Sequence, residues 1–173
     1  MIEIRNIGAD NPRDVNIPNE PFALWGRMIP ALENGVWTYR VQRDAHAREM
    51  CFPDYPYDPA DGGIYLGAYD AQTCVGLAVL REEMFRYLYL EDLKVCQAYR
   101  RRGVGGMLID ACMRTARDGG KQGVYVVAQD NNLSACLFYL RRGFEIGGFN
   151  NRVYRGTSQQ EKSDIFFYRD CDE

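Results

Sequence analysis

Histidine is nearly missing from this chain: His46, in the polar stretch RDAHARE, is the only one, and the six cysteines at 51, 74, 96, 112, 136 and 171 form no CxxC pair. Zinc and iron–sulfur sites lack their usual ligand spacing, so no metal is expected. A Ser-His-Asp hydrolase is likewise disfavoured. No apolar run approaches the roughly 20 residues that span a bilayer. The opening MIEIRNIGAD has no basic region followed by an apolar stretch, which makes the cytoplasm the expected compartment. Charge of one sign is not in excess either: 21 basic against 24 acidic side chains leave a formal −3. That gives no general electrostatic reason to bind nucleic acid or an anionic membrane, and suits a cationic substrate better. Repeats, low-complexity blocks and Gly/Ser linkers are absent.

What is present fits one domain, residues 1–173. The chain is 46% hydrophobic and 26% charged, enough for a core without disulfides or a structural metal. Residues 2–7 alternate apolar and polar side chains, as an edge strand does. All seven prolines fall at positions 12 to 59, so long regular elements are expected to be interrupted there. The same region gathers Phe22, Trp25, Trp37, Tyr39, Phe52, Tyr55 and Tyr57 beside Glu20, Glu33, Asp54, Asp58 and Asp61. Two readings stay open: an aromatic and acidic wall for a cationic organic molecule, or aromatics covering a sheet beside solvated acids.

From Ile64 the pattern becomes regular. IYLGAY, CVGLAVLREEMF and YLYLEDLKV are rich in branched and aromatic residues and joined by short connections, which predicts an antiparallel meander. Val104, Met107, Leu108, Ala111 and Cys112 then recur at helical offsets up to Gly119-Gly120. VYVVA reads as a buried strand, NLSACLFYLRR as a second helix stopped by Gly143, and FEIGGF and DIFFYR as closing strands. Cys96, Cys112 and Cys136 fall at a strand end and in the two helices, where cysteine packs as a small hydrophobe.

Residues 87–113 place a strand, the basic turn RRRGVGG and a helix start in succession. The first amides of a helix lack intrahelical partners and sit at the positive end of its dipole, which makes an anion site. Gly103, Gly105 and Gly106 let backbone approach a pyrophosphate, with Arg100, Arg101 and Arg102 as charge-assisted donors. The spacing is neither GxGxxG nor GxxxxGK[ST], and without a Walker lysine a nucleotide-binding regulator is poorly supported. A purely structural basic turn is the alternative.

Arg100-x-x-Gly103-x-Gly105 resembles the [QR]-x-x-G-x-[GA] acyl-CoA pyrophosphate loop of the GNAT N-acetyltransferases, and the preceding LKV resembles that family's strand beside pantetheine. Asn132, Ala135, Tyr139, Gly143 and Phe144 stand at the offsets of its N-x-x-A-x-x-x-Y-x-x-x-G-F signature. The resemblance implies an α/β fold with a central, mostly antiparallel sheet flanked by helices. It covers an acyl-CoA-binding core at about 64–169 and leaves about 1–63 as a variable substrate side. A narrower resemblance, to the streptothricin acetyltransferases, lies in AQDNNLSACLFYLRRGFEIGG, in Tyr154 before an aromatic closing strand, and in Glu91 shortly before Val95. It implies acetyl-CoA as acyl donor and a primary amine of a small cationic molecule, with streptothricin as the named candidate. The family resemblance also allows a homodimer.

Transfer to an amine needs a base for its proton, donors for the tetrahedral oxyanion and an acid for the departing thiolate. The resemblance supplies places for all three. Glu91 is the first choice for the base; alternation puts it on the face of Leu93 and Val95, with Asp92 facing the other way. Either acid could instead hold the substrate's cation or be a solvated strand-edge group. Tyr139 matches the tyrosine that protonates the CoA sulfur, or else packs its helix onto the sheet. Asn132 can cap its helix and also contact pantetheine. The backbone of Leu93, Lys94 and Val95 is the expected pantetheine rail, and residues 100–106, Val104 included, the expected phosphate loop. Competing readings are acetylation of another small amine or of a protein or peptide amine, and a non-catalytic acyl-CoA-binding module.

Overall fold

The computed structural model describes residues 1–83 and 85–171. Met84, inside the second predicted run, and Asp172 and Glu173, at the end of the expected domain, lie outside the described residues. The strands are β1 (Ile2–Asn6), β2 (Phe22–Glu33), β3 (Val36–Met50), β4 (Ile64–Asp70), β5 (Thr73–Glu82), β6 (Tyr87–Val95), β7 (Gly123–Gln129), β8 (Glu145–Asn150) and β9 (Asp164–Asp170). The helices are α1 (Val104–Asp118) and α2 (Leu133–Arg141). This is the expected mixed α/β class, with mostly antiparallel strands. The chain divides into two units: Met1–Glu20 and Cys51–Val124 with Asp170 and Cys171, and Pro21–Met50 with Tyr125–Arg169.

In the first unit the strand order is β1-β4-β5-β6, every pair antiparallel. The predicted meander is β4 to β6, with Tyr65 opposite Val79 and Leu77 opposite Lys94. One face carries a buried cluster of Ile7, Val15, Tyr65, Tyr69, Leu77 and Val79, closed by Ile17, Tyr57 and Cys74. The other takes α1: a Cβ added at Gly76 would meet Leu108 at 3.2 Å and Ala68 at 3.4 Å. The helix buries Val104, Leu108, Ile109, Ala111, Cys112, Met113 and Ala116. Met107, expected in the apolar stripe, is exposed instead, because the buried arc runs through Ile109 and Met113 and leaves position 107 at its rim. Leu108 has no exposed surface. Truncation to alanine is expected to cost about 2–5 kcal/mol, lost transfer plus cavity, measurable by urea unfolding.

In the second unit the structure corrects the expectation of short, proline-broken elements. β2 and β3 form one long antiparallel hairpin, paired from Phe22 and Met50 to Glu33 and Val36. Asn34 and Gly35 make its two-residue turn with φ of 51° and 78°, the left-handed pair that such hairpins require. Pro30 lies within β2 opposite Tyr39. Met28, two residues earlier, turns its N–H away from β3 to the Asp130 carbonyl at 2.9 Å. Pro30 shares that orientation, so its missing N–H costs no hairpin bond. The remaining strands run β7-β9-β8, and α2 lies against β2, where Trp25 Nε1 donates to Ser134 Oγ at 2.7 Å.

All six cysteines are free. Cys112 and Cys136 have no exposed surface, and burial pushes each thiol up to about 12, so both pack as neutral side chains. Among the described residues no helix is long and apolar enough to cross a membrane.

Candidate active site

β6 is not a regular strand. Leu90 pairs with Leu80 but Asp92 pairs with Val79, which leaves Glu91 as an extra residue, a β-bulge. The bulge shifts the alternation by one. Leu93 and Val95 oppose Ala78 and Gly76 on the α1 face, whereas Asp92 and Lys94 oppose Val79 and Leu77 on the tyrosine face. Glu91 turns to that second face, where its Oε2 accepts from Arg81 Nε at 2.6 Å. The expectation that Glu91 shares a face with Leu93 and Val95, opposite Asp92, is therefore corrected: both acids serve the same face.

A network of charges and rings surrounds them. Arg81 also donates through Nη1 to Asp61 Oδ1 at 2.6 Å and through Nη2 to the Tyr65 hydroxyl at 3.3 Å. Asp61 Oδ1 further accepts from Tyr65 Oη at 2.8 Å and from the Gly63 amide at 2.9 Å. The Arg81 hydrogen bond, outweighing the opposing effect of burial, holds the Asp61 carboxyl well below the usual carboxylate range. Asp92 Oδ2 accepts from the Tyr57 hydroxyl at 3.3 Å and pairs with Lys94 Nζ at 3.2 Å. Burial, then the negative charges of Asp92 and Glu91, push the Tyr57 phenol above its ordinary range, so it stays a donor. Three carboxylates thus face two cations, and the surplus negative charge suits an amine.

The basic turn follows β6. Arg100 is braced inward: Nε donates to the Val95 carbonyl at 3.0 Å and Nη2 lies 3.6 Å from the Glu20 carboxylate. Glu20 also accepts from the Gln97 amide. Arg102 lies over the Tyr99 ring at 5.4 Å. Arg101 and Gly103 both have positive φ, 61° and 86°, and the first α1 bond runs from Met107 N to Gly103 O at 3.1 Å. The amides of Val104, Gly105 and Gly106 therefore precede the helical ladder. An added Cβ at Gly103 would meet nothing within 4 Å, so the left-handed backbone and not crowding is what calls for glycine there.

Asn132 and Tyr139 lie in the second unit. Asn132 caps α2, its Oδ1 accepting from the Ala135 amide at 3.2 Å. The Tyr139 ring is buried against Phe138, Phe144 and Phe167, with centroids 5.4, 5.5 and 5.9 Å away. At the end of β7, buried Asp130 pairs with Arg27 at 3.3 Å and accepts from the Ser163 amide. Gln129 Nε2 donates to Tyr154, which donates to Asp164.

The structure divides the aromatic and acidic wall expected from the sequence. Tyr57 and Asp61 join Glu91 and Asp92 in the first unit; Phe22, Trp25, Trp37 and Tyr39 belong to the second. Glu20 braces the basic turn. Sequence reasoning missed Arg81, whose one signal was a lone cation closing an otherwise apolar strand, and missed the pairing of Arg27 with Asp130, which the AQDNN run does not reveal.

A sequence model of the Acetyltransferase (GNAT) family matches residues 29–144. Streptothricin acetyltransferase A of Bacillus subtilis (strain 168) is 35% identical over 162 residues, 91% of this chain and 94% of that protein. The crystal structure of a Bacillus anthracis protein in complex with acetyl coenzyme A superposes with a TM-score of 0.88 at 28% identity, covering 98% of this chain and 99% of that one. Nourseothricin acetyltransferase shares the fold over 99% of both chains, with a TM-score of 0.81 at 21% identity.

Proposed function

The chain belongs to the acetyltransferase (GNAT) family, and from that premise we propose that it transfers the acetyl group of acetyl-CoA to a primary amine of streptothricin. The carrying observation is the 35% identity to a streptothricin acetyltransferase across nine-tenths of the chain. The surplus of carboxylates at Asp61, Glu91 and Asp92 supports a cationic acceptor. The whole chain is read as one catalytic domain acting in the cytoplasm, with a homodimer as its assembly.

Bound acetyl-CoA supplies an activated thioester carbonyl. Glu91 takes the ammonium's proton, directly or through water, which frees the nitrogen lone pair to attack that carbon. The tetrahedral adduct collapses by breaking the carbon–sulfur bond, and the second N–H proton passes to solvent, which in turn reprotonates the Tyr139 phenol. Tyr139 returns a proton to the departing thiolate. The backbone of Leu93, Lys94 and Val95 aligns pantetheine and holds the oxyanion, and Asn132 contacts pantetheine. The amides of Val104, Gly105 and Gly106 and the exposed Arg101 and Arg102 hold the pyrophosphate. Arg100 keeps the loop in shape through Val95 and Glu20. Gly103 in its left-handed conformation gives one direct check: an L-residue there costs about 1–2 kcal/mol. Gly103→Ala should therefore relax the loop and raise KM for acetyl-CoA about tenfold, with kcat at saturation retained.

The deciding experiment incubates the protein with acetyl-CoA and streptothricin, alongside lysine, polyamines, an aminoglycoside and a peptide, with mass spectrometry as readout. A single acetyl group on streptothricin alone is expected. Acetylation of another amine with streptothricin untouched would remove the proposed substrate and leave the N-acetyltransferase chemistry standing.

A further inference from the structure

Arg81 holds more of the acid network than any sequence motif suggests. Its side chain is 22% exposed, lies 5.7 and 5.6 Å from the Tyr57 and Tyr65 ring centres, and spans two carboxylates at 2.6 Å each. The Asp61 end is itself fixed, by the Gly63 amide and the Tyr65 hydroxyl. A Cβ at Gly63 would stand 2.4 Å from Arg81 Nη1 and 3.0 Å from its Cζ, so the guanidinium occupies the space that a glycine leaves. At the other end sits Glu91, the extra residue of a bulged strand, with no ladder partner on β5.

We propose that Arg81, anchored by Asp61 and Gly63, is a positioning residue that fixes the Glu91 carboxylate for proton transfer. Arg81 Nε holds Oε2, and Oε1 is the oxygen assigned to receive the proton. This rests on the proton-transfer role given to Glu91 above. A guanidinium is suited to the task because its planar fork reaches two carboxylates at fixed angles, which an ammonium cannot do.

The test is a kinetic cycle with Gly63→Ala, Arg81→Lys and Glu91→Gln, singly and combined, with thermal unfolding of each variant. Gly63→Ala removes no functional group and displaces the flexible end of Arg81 together with the Asp61 carboxylate that anchors it, whose Oδ1 would stand 3.0 Å from the new Cβ. A misplacement of about 1 Å is expected to lower kcat about 10–100-fold, with KM for acetyl-CoA and the melting temperature unchanged. Arg81→Lys keeps the charge and is expected to retain stability while lowering kcat, where a merely structural cation would be replaced with kcat unchanged. In the Glu91→Gln background neither change should lower kcat further, since residues acting as a unit are not additive. Wild-type kcat in Gly63→Ala and Arg81→Lys beside an impaired Glu91→Gln overturns the inference alone, as do losses that multiply in the double variants. An unimpaired Glu91→Gln overturns the reading of Glu91 and the inference with it.

Discussion

Replacing Glu91 with glutamine is expected to lower kcat about 10²–10⁴-fold, the usual contribution of a positioned base, with KM for acetyl-CoA unchanged. The amine acceptor is protonated near neutral pH and cannot attack until that proton leaves. Glutamine keeps the size of the side chain and an oxygen for Arg81 Nε but cannot take a proton. Stability should barely move: the pair is part-exposed, 22% for Arg81 and 35% for Glu91, and such pairs contribute about 0–1 kcal/mol. Asp92→Asn is the matched control. Asp92 already receives Tyr57 and Lys94 on one oxygen, so its removal should perturb substrate binding more than turnover. Steady-state kinetics of the two variants at saturating acetyl-CoA separates the roles. If Asp92→Asn loses turnover and Glu91→Gln does not, the base is Asp92.

The reason Glu91 and Asp92 were placed on opposite faces from sequence shows what periodicity can carry. β4 to β6 were legible because branched and aromatic residues recur through them and their ends are marked by turn residues. A bulge adds one residue without changing composition, so alternation alone cannot register it. Arg81 becomes meaningful only once the pairing of β5 with β6 is known, because the bulge is what swings Glu91 toward it. The hairpin of β2 and β3 carries a turn signal in Asn34-Gly35 that a reading by proline count passes over, and Pro30 does not break it because its missing N–H falls on the side away from β3. The basic turn before α1 and the capped start of α2 were legible because their geometry is local: amides at a helix start, a left-handed glycine, a capping asparagine. The acid network was not, because Asp61, Arg81 and Glu91 meet only after the strands pair.

Tyr139→Phe is the second large effect, and it separates chemistry from packing. The ring is 7% exposed and surrounded by Phe138, Phe144 and Phe167, contacts that phenylalanine keeps. Loss of stability should stay near the net worth of one hydrogen bond, about 0.5–1.5 kcal/mol, whereas Tyr139→Ala would open a cavity costing about 3–5 kcal/mol. On the proposed mechanism turnover depends on the hydroxyl instead. Without a donor the thiolate must leave unprotonated, and kcat is expected to fall about 10²-fold while KM for both substrates holds. A solvent deuterium isotope effect on kcat should change with it, since the proton in flight no longer comes from the phenol. Wild-type kcat in a stably folded Tyr139→Phe protein would assign Tyr139 to packing alone and leave solvent to protonate the sulfur. Glu91 would then be the one side chain of this mechanism that moves a proton.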